Sequence, residues 1–267
     1  MKFSSVLLVT LLGCSQAAPA RDEKPPYLIL TGDSTVAVNG GWGNGLLSIL
    51  RDGADGVNRA KSGATTVSFR KDRWADVLLD IEEHRGDYRP VVTIQFGHND
   101  QKESAGISLE EFKSNLEDLA DEVKEAGGTP VRLYSPRALL SCSPTYLKAQ
   151  ILITSLTRRT FDGDHVKQNL EEQRQQAIAA AKAVGAKWLD LNLASTNYIN
   201  AIGEANASHY DSKKGDKTHL NAAGEKVFGR MVADLLGTKR GDLRRYLAPN
   251  KALSGKIWAG EFATGDE

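Results

Sequence analysis

Residues 91–96 read Val-Val-Thr-Ile-Gln-Phe, follow Pro90 and close on Gly97-His98-Asn99-Asp100. A β-branched, apolar run of that length, bounded by proline and glycine, is a buried strand that ends on a polar loop. The same signature recurs on either side of it. Residues 27–30 (Y-L-I-L) end at Thr31-Gly32-Asp33-Ser34, residues 56–60 (G-V-N-R-A) run towards Gly63, and residues 187–191 (K-W-L-D-L) read as a further strand. Helical patterns fill the gaps. Ser108 with Glu111 makes a capping box that opens a helix towards Gly127-Gly128. Residues 164–184 repeat apolar side chains at Val166, Leu170, Ala177, Ile178 and Ala181 before Gly185. Asn221 caps a last helix with Val227, Met231, Val232 and Leu235 on one face. Strands alternating with helices predict an α/β fold with a parallel sheet covered on both sides.

Composition narrows the class without naming the chemistry. The chain has 267 residues, 34 basic and 34 acidic side chains, 40% hydrophobic and 25% charged residues. Those values exclude disorder, collagen and a disulfide-framed mini-protein, and a zero net charge leaves no phosphate-seeking field for a nucleic-acid binder. Residues 1–20 have the anatomy of a secretory signal: Lys2, a short apolar run from Phe3 to Leu12, and Ala17-Ala18-Pro19-Ala20 for cleavage. The run is too short to span a bilayer. Leu11-Leu12-Gly13-Cys14 also matches a lipoprotein box, so a membrane is involved only if Cys14 carries a lipid. Cleavage would leave 33 basic against 34 acidic residues and Cys142 as the single cysteine, so no intrachain disulfide is expected. Asn206-Ala207-Ser208 is a glycosylation sequon, in keeping with a secreted, extracellular glycoprotein.

Residues 21–267 show no repeat, low-complexity tract or linker, and one domain is the simplest reading. A single stretch does not fit. Gly127-Gly128-Thr129-Pro130-Val131 should launch a strand, yet residues 132–150 intervene before Ile151-Leu152-Ile153-Thr154. Joining Val131 to Ile151 gives a cleaner buried strand than either half. Residues 132–150 therefore read as an insertion, either a retained intron or a surface loop with its own turn of helix. The tail, residues 239–267, carries Leu243, Tyr246, Leu247 and Trp258, which are expected to pack on the domain.

Ligands of an open α/β sheet bind outside the carboxyl ends of its strands. Gly32-Asp33-Ser34, Gly63 and Gly97-His98-Asn99-Asp100 all follow strands, so their loops should open on one edge. Asp216-Lys217-Thr218-His219 stands just before the final helix, and its three-residue spacing lets the carboxylate meet Nδ1 while Nε2 points outward. A serine, a base, a group to orient that base and donors for an oxyanion are the parts of acyl transfer. Each has a plainer reading: Ser34 as a helix cap, Gly63 as a turn, Asn99 as an Asx turn, His98 as a structural hydrogen bond. Asp162-Gly163-Asp164-His165 is a competing D-x-x-H, with both aspartates suited to capping a helix, while His84 and His209 read as solvated surface residues. Arg158-Arg159, after the presumed fourth strand, either meets substrate carboxylates or is a surface charge pair. There is no H-E-x-x-H, paired C-x-x-C, dinucleotide or phosphate loop, and no G-x-S-x-G elbow, so no metal or cofactor is expected.

The blocks G-D-S-T-V-A (residues 32–37), A-K-S-G-A-T (60–65), F-G-H-N-D (96–100) and D-K-T-H-L-N (216–221) are where the chain resembles the SGNH (GDS-type) hydrolases. With Gly41-Trp42-Gly43, they look like the rhamnogalacturonan acetylesterases of carbohydrate esterase family 12. The resemblance implies a three-layer α/β/α sandwich with a flavodoxin-like parallel sheet. It implies Ser34 as nucleophile, His219 as base and Asp216 as its orienting partner. Backbone N–H groups of Ser34 and Gly63 with the Asn99 amide would form the oxyanion hole, and His98 would touch substrate. The expected activity is a secreted, cofactor-free, monomeric serine esterase that deacetylates a pectic polysaccharide. Alternatives are an esterase for acetylated xylan or short-chain lipid esters, or a binding protein with a dead triad.

Overall fold

The computed structural model describes residues 24–127 and 149–267. The expectations for residues 1–20, for Cys14 and Cys142, and for most of the 132–150 segment fall outside the described residues. The strands are β1 (Pro26–Gly32), β2 (Asp55–Asn58), β3 (Arg89–Gln95), β4 (Gln150–Ile153), the short pair β5 (Phe161–Asp162) and β6 (His165–Val166), and β7 (Lys187–Leu189). All but β5 and β6 form one sheet in the order β2-β1-β3-β4-β7, with every pairing parallel. Chain direction across the sheet reverses at β1, so the loops leaving β1 and β3 diverge and open a crevice between them.

Side-chain alternation along each strand divides the core in two. Leu28, Leu30, Val91, Ile151 and Ile153 pack with α1 (Gly43–Leu47), α6 (Leu191–Ala207), α7 (Ala222–Lys239) and α8 (Lys251–Ala259) on one face. Tyr27, Ile29, Val92, Ile94 and Leu152 pack with α2 (Thr66–Asp72), α3 (Trp74–His84), α4 (Leu109–Gly127) and α5 (Glu171–Ala183) on the other. Ser108 accepts from the Glu111 N–H at 3.1 Å at the start of α4. Asn221 accepts from the Gly224 N–H at 3.0 Å at the start of α7.

Four local expectations need correction. Residues 164–184 are not one helix. Gly163, at φ 63°, turns the β5–β6 hairpin, Val166 pairs with Phe161, and the helix begins only at Glu171. The apolar residues at 166 and 170 thus precede that helix, and Asp162 and Asp164 cap nothing. Helix α7 is not the last, since α8 follows it. In the tail, Leu243, Tyr246 and Leu247 are buried but Trp258 is 50% exposed. His84 is not a free surface group either: it stacks on Tyr27 at 3.6 Å and its Nδ1 donates to the Asp80 carbonyl. Asn206 of the sequon lies in the last turn of α6, its amide nitrogen bonded to the Ile202 carbonyl. Among the described residues no helix is long and apolar enough to cross a membrane.

The ends flanking residues 128–148 lie together. A Cβ built on Gly127 would sit 3.6 Å from the Ala149 Cβ. Ala149 and Gln150 already belong to the sheet, since Val92 N–H donates to the Ala149 carbonyl and Gln150 is in register with Val92. Gln150 is buried and its Oε1 has no partner. Excising residues 132–150 would put Val131 in its place, after a loop of ordinary αβ length. That replaces an unsatisfied buried oxygen, worth about 1–3 kcal/mol, with an apolar side chain. The shortened chain is expected to fold with a melting temperature equal to or above that of the full chain. A lower melting temperature, read by circular dichroism, would show that the sheet needs the segment.

Candidate active site

The β1–α1 loop supplies Ser34. Gly32 ends the strand where a Cβ would come within 2.6 Å of the Gln95 carbonyl and of Val36, so only glycine lets the chain leave β1 this closely against β3. Beneath the loop runs a buried polar chain. Trp42 Nε1 donates to Gln95 Oε1 (2.9 Å), Gln95 Nε2 to Thr35 Oγ1 (2.7 Å), and Thr35 Oγ1 to Asp33 Oδ1 (2.7 Å). Burial pushes the Asp33 carboxyl pKa up, against the hydrogen bonds from Thr35. Ser34 itself stands in this turn, well before the start of α1 at Gly43, and caps no helix.

The loop before α7 supplies the base. Asp211 and Leu220 bridge its two ends, and Leu220 N–H donates to the Gly40 carbonyl at 2.8 Å, tying it to the serine loop. His219 Nε2 lies 2.9 Å from Ser34 Oγ, across 185 residues of sequence. Its Nδ1 lies 2.9 Å from Asp216 Oδ2 and 3.2 Å from Oδ1. Because a carboxylate only accepts, Nδ1 is the donor. Nε2 of the neutral ring is then the acceptor for the serine hydroxyl. Burial would raise the Asp216 pKa, but hydrogen bonds from the His219 backbone and ring, from Ser212 (2.8 Å) and from the Thr218 N–H (3.1 Å) outweigh it. They hold the carboxyl well below the usual range.

The loops after β2 and β3 carry the other donors expected for an oxyanion. Gly63 has φ 77°, and a Cβ there would meet nothing within 4 Å, so its backbone borders open space. Neither the Ser34 nor the Gly63 N–H has a protein acceptor among the described residues. Asn99 is buried. One of its amide protons goes to the Ala64 carbonyl (2.9 Å), and its Oδ1 accepts from Lys102 Nζ (2.7 Å). The second amide proton remains unspent, and the lysine charge polarises the group that carries it. Asp100 completes the loop by accepting from Thr66 N–H and Oγ1 at 2.8 and 2.6 Å, which fixes the start of α2.

The structure separates the remaining expected contacts. His98 is 3% exposed and its Nε2 donates to the Leu156 carbonyl at 2.8 Å. Burial, then the Arg158 charge, lowers its pKa to about 3, which keeps it neutral. The bond to Leu156 is the kind of hydrogen bond the plainer reading expected, while the His98 Nδ1 is buried without a partner. Arg158 is half-buried, with Nη2 3.4 Å from the His98 carbonyl. Arg159 is a correction. Its side chain is 1% exposed and cannot reach a substrate. It pairs with Asp211 (Nε to Oδ1, 2.9 Å), and its Nη2 donates to the carbonyls of Asp216 (3.0 Å) and His219 (2.6 Å). Its own N–H donates to the Lys217 carbonyl at 2.8 Å. One guanidinium thus grips the loop that carries both Asp216 and His219. The competing His165 lies on the β5–β6 hairpin, opposite Asp162.

Lys102, Asp211, Ser212 and the Trp42–Gln95–Thr35 chain escaped the sequence reading. Only Gln95 left a trace, as an amide inside an otherwise apolar buried strand. Among the described residues, Asp80, Glu83 and His84 are the one grouping with metal-ligand potential, and Asp80 is already bidentate to Arg59 at 2.6 and 2.7 Å.

The arrangement can deliver a hydroxyl activated by an oriented imidazole. The GDSL-like lipase/acylhydrolase family model matches residues 30–227. The chain is 30% identical over 235 residues to rhamnogalacturonan acetylesterase RhgT of Bacillus subtilis, covering 79% of this chain and 90% of that protein. A GDSL esterase/lipase of Arabidopsis thaliana is 34% identical over 111 residues, 36% of this chain and 44% of that one. Among solved structures, a Bacillus subtilis protein superposes with a TM-score of 0.62 at 24% identity, over 81% of this chain and 57% of that one. The acetylxylan esterase Axe2 of Geobacillus stearothermophilus gives 0.56 at 19% identity, over 80% and 95%. At those identities the two structures share the fold.

Replacing Arg159 leaves the buried Asp211 carboxylate with only Lys217 Nζ, at 3.5 Å, and takes a donor from the carbonyls of Asp216 and His219, and breaking a buried pair costs about 3–5 kcal/mol. Arg159→Met is expected to lower the melting temperature. It should also lower kcat on a small soluble ester by about tenfold or more, with KM within about twofold, since the loss falls on His219 alignment and not on substrate contact. An unchanged kcat in folded protein would limit Arg159 to stability.

Proposed function

The chain belongs to the GDSL-like lipase/acylhydrolase family, and from that premise we propose that it is a secreted serine esterase that removes acetyl groups from a pectic polysaccharide, rhamnogalacturonan. The observation that carries the catalytic part is the continuous Ser34–His219–Asp216 chain, with 2.9 Å at each link. The substrate part is supported by the likeness to RhgT over most of both chains.

In the reaction, Ser34 Oγ attacks the acetyl carbonyl as its proton passes to His219 Nε2. Asp216 holds the ring with Nε2 towards the serine and stabilises the imidazolium that forms. The carbonyl oxygen gains charge where the Ser34 and Gly63 N–H groups and the spare Asn99 proton converge. Collapse of the tetrahedral species expels the sugar hydroxyl, which takes the proton from His219, and leaves acetyl on Ser34. Water then enters, gives its proton to His219 and releases acetate and the free serine.

The test is acetate release from acetylated rhamnogalacturonan and acetylated xylan, with Ser34→Ala as control. Release from the pectic substrate alone, abolished in the control, is the expected result. Release from xylan alone would discard the pectic assignment and keep the mechanism, and release by Ser34→Ala would discard the mechanism.

Losing one oxyanion donor typically costs about 2.7–4 kcal/mol. Asn99→Ala should therefore fall on the order of a hundredfold or more in turnover. A change smaller than about threefold, in protein of normal melting temperature, would remove Asn99 from the reaction.

A further inference from the structure

Trp258 is the exposed aromatic among the large apolar side chains, and its ring is not loose. Its Nε1 donates to Asp234 Oδ2 at 2.8 Å, and Asp234 is held by Arg230 at 2.7 Å. The indole therefore stands in a fixed orientation, half its surface in water. It lies on the wall of a groove of about 650 Å³ between the second half of α7, the turn at 241–246 and α8. That volume is typical of a ligand site.

The groove is strongly cationic on a chain whose charges sum to zero. Arg51, Arg230, Arg244, Arg245 and Lys251 line it, and Asp234 is the one acidic residue that does. Asp234 is already engaged by Arg230 and Trp258. Arg244 donates to the Gly237 carbonyl and Arg51 Nε to the Arg245 carbonyl at 2.8 Å. Those bonds orient the guanidinium groups without cancelling their charge. Asp52 stands 3.6 Å from Arg51 and offsets it in part.

This groove is not an extension of the site at Ser34. Helix α7 begins at Ala222, just beyond His219, and the residues of it that wall the groove run from Arg230 to Thr238, 8 to 16 residues further along. At 1.5 Å per residue that is about 12 to 24 Å. No single sugar unit touches both.

We propose that this groove is a second binding site for an anionic polysaccharide, separate from the catalytic one. Uronate carboxylates would meet the arginine forks, which match them in geometry and charge. The C–H face of one sugar ring would lie on the Trp258 indole, the type of rigid aromatic that anchors interfaces. The choice of a uronate polymer rests on the pectic reading above. A chain held there keeps the enzyme on its polymer and raises the local concentration of acetyl esters at Ser34. Hydrolysis of a small free ester gains nothing from it.

The experiment is affinity electrophoresis of the full chain carrying Ser34→Ala, in native gels containing polygalacturonate, dextran or single-stranded DNA at 0.15 M salt. Polygalacturonate should retard the protein and dextran should not, and Trp258→Ala with Lys251→Glu should weaken the retardation at least fivefold. In the Ser34 background the same pair of substitutions should leave 4-nitrophenyl acetate hydrolysis unchanged, which also reports that the fold is intact. No retardation by polygalacturonate, or equal retardation with and without the substitutions, overturns the proposal. Stronger, Trp258-dependent retardation by single-stranded DNA overturns it in favour of a nucleic-acid groove. Binding is read here on a protein without its nucleophile. A failure of the deacetylase reading therefore appears only as absent acetate release.

Discussion

The Arg159 guanidinium sits between the loop that leaves β4 and the loop that enters α7, where it is 1% exposed and faces Asp211 at 2.9 Å. Burying such a charge is unfavourable unless it is paired and its protons are accepted. Here the acceptors for Nε and Nη2 are the Asp211 carboxylate and the carbonyls of Asp216 and His219, while Nη1 is buried without one. The need to satisfy one buried cation thus dictates the path of the segment that carries the imidazole. The Asp211–Leu220 bridge and the Leu220–Gly40 hydrogen bond carry the same constraint to the serine loop. Ser34 and His219 meet at 2.9 Å because both loops are held from below.

The serine and asparagine loops obey the same logic with neutral and acidic groups. Polar side chains at the carboxyl edge of a parallel sheet lie where strand hydrogen bonds run out, so each must find a partner or carry a cost. Trp42, Gln95, Thr35 and Asp33 supply one another, and Asp100 is used by Thr66. Among the unspent groups are the N–H groups of Ser34 and Gly63 and one proton of Asn99, beside the buried, unpartnered Asp33 Oδ2, His98 Nδ1 and Asp100 Oδ2. Such preorganised, unpartnered donors are what a developing oxyanion requires.

Helix α7 joins two chemically distinct ends of the molecule. Its first turn adjoins the His219 loop, while its last turns wall the cationic groove with Trp258. A neutral total of 34 basic and 34 acidic residues conceals this polarity, because a sum carries no positions. The corrected placement of Trp258, half in water and half against the domain, is what brings the groove into view.

The Ser34, Asp216 and His219 grouping was legible in the sequence because each stands in a short block at the end of a recognisable element. The order of strands and helices was legible for the same reason: apolar periodicity is a local property. The hairpin at residues 161–166 was not, since residues 166 and 170 happened to mimic a helical repeat across two elements. Nor could the sequence separate Arg158 from Arg159. They are adjacent and chemically identical, yet one is half-buried beside the His98 carbonyl and the other is sealed against Asp211, 52 residues away. Sequence by itself determined which groups exist and in what order they reach the edge of the sheet. Tertiary structure alone decided which of them are buried and paired and which keep a free proton or face water, because those outcomes depend on neighbours brought together only when the chain folds.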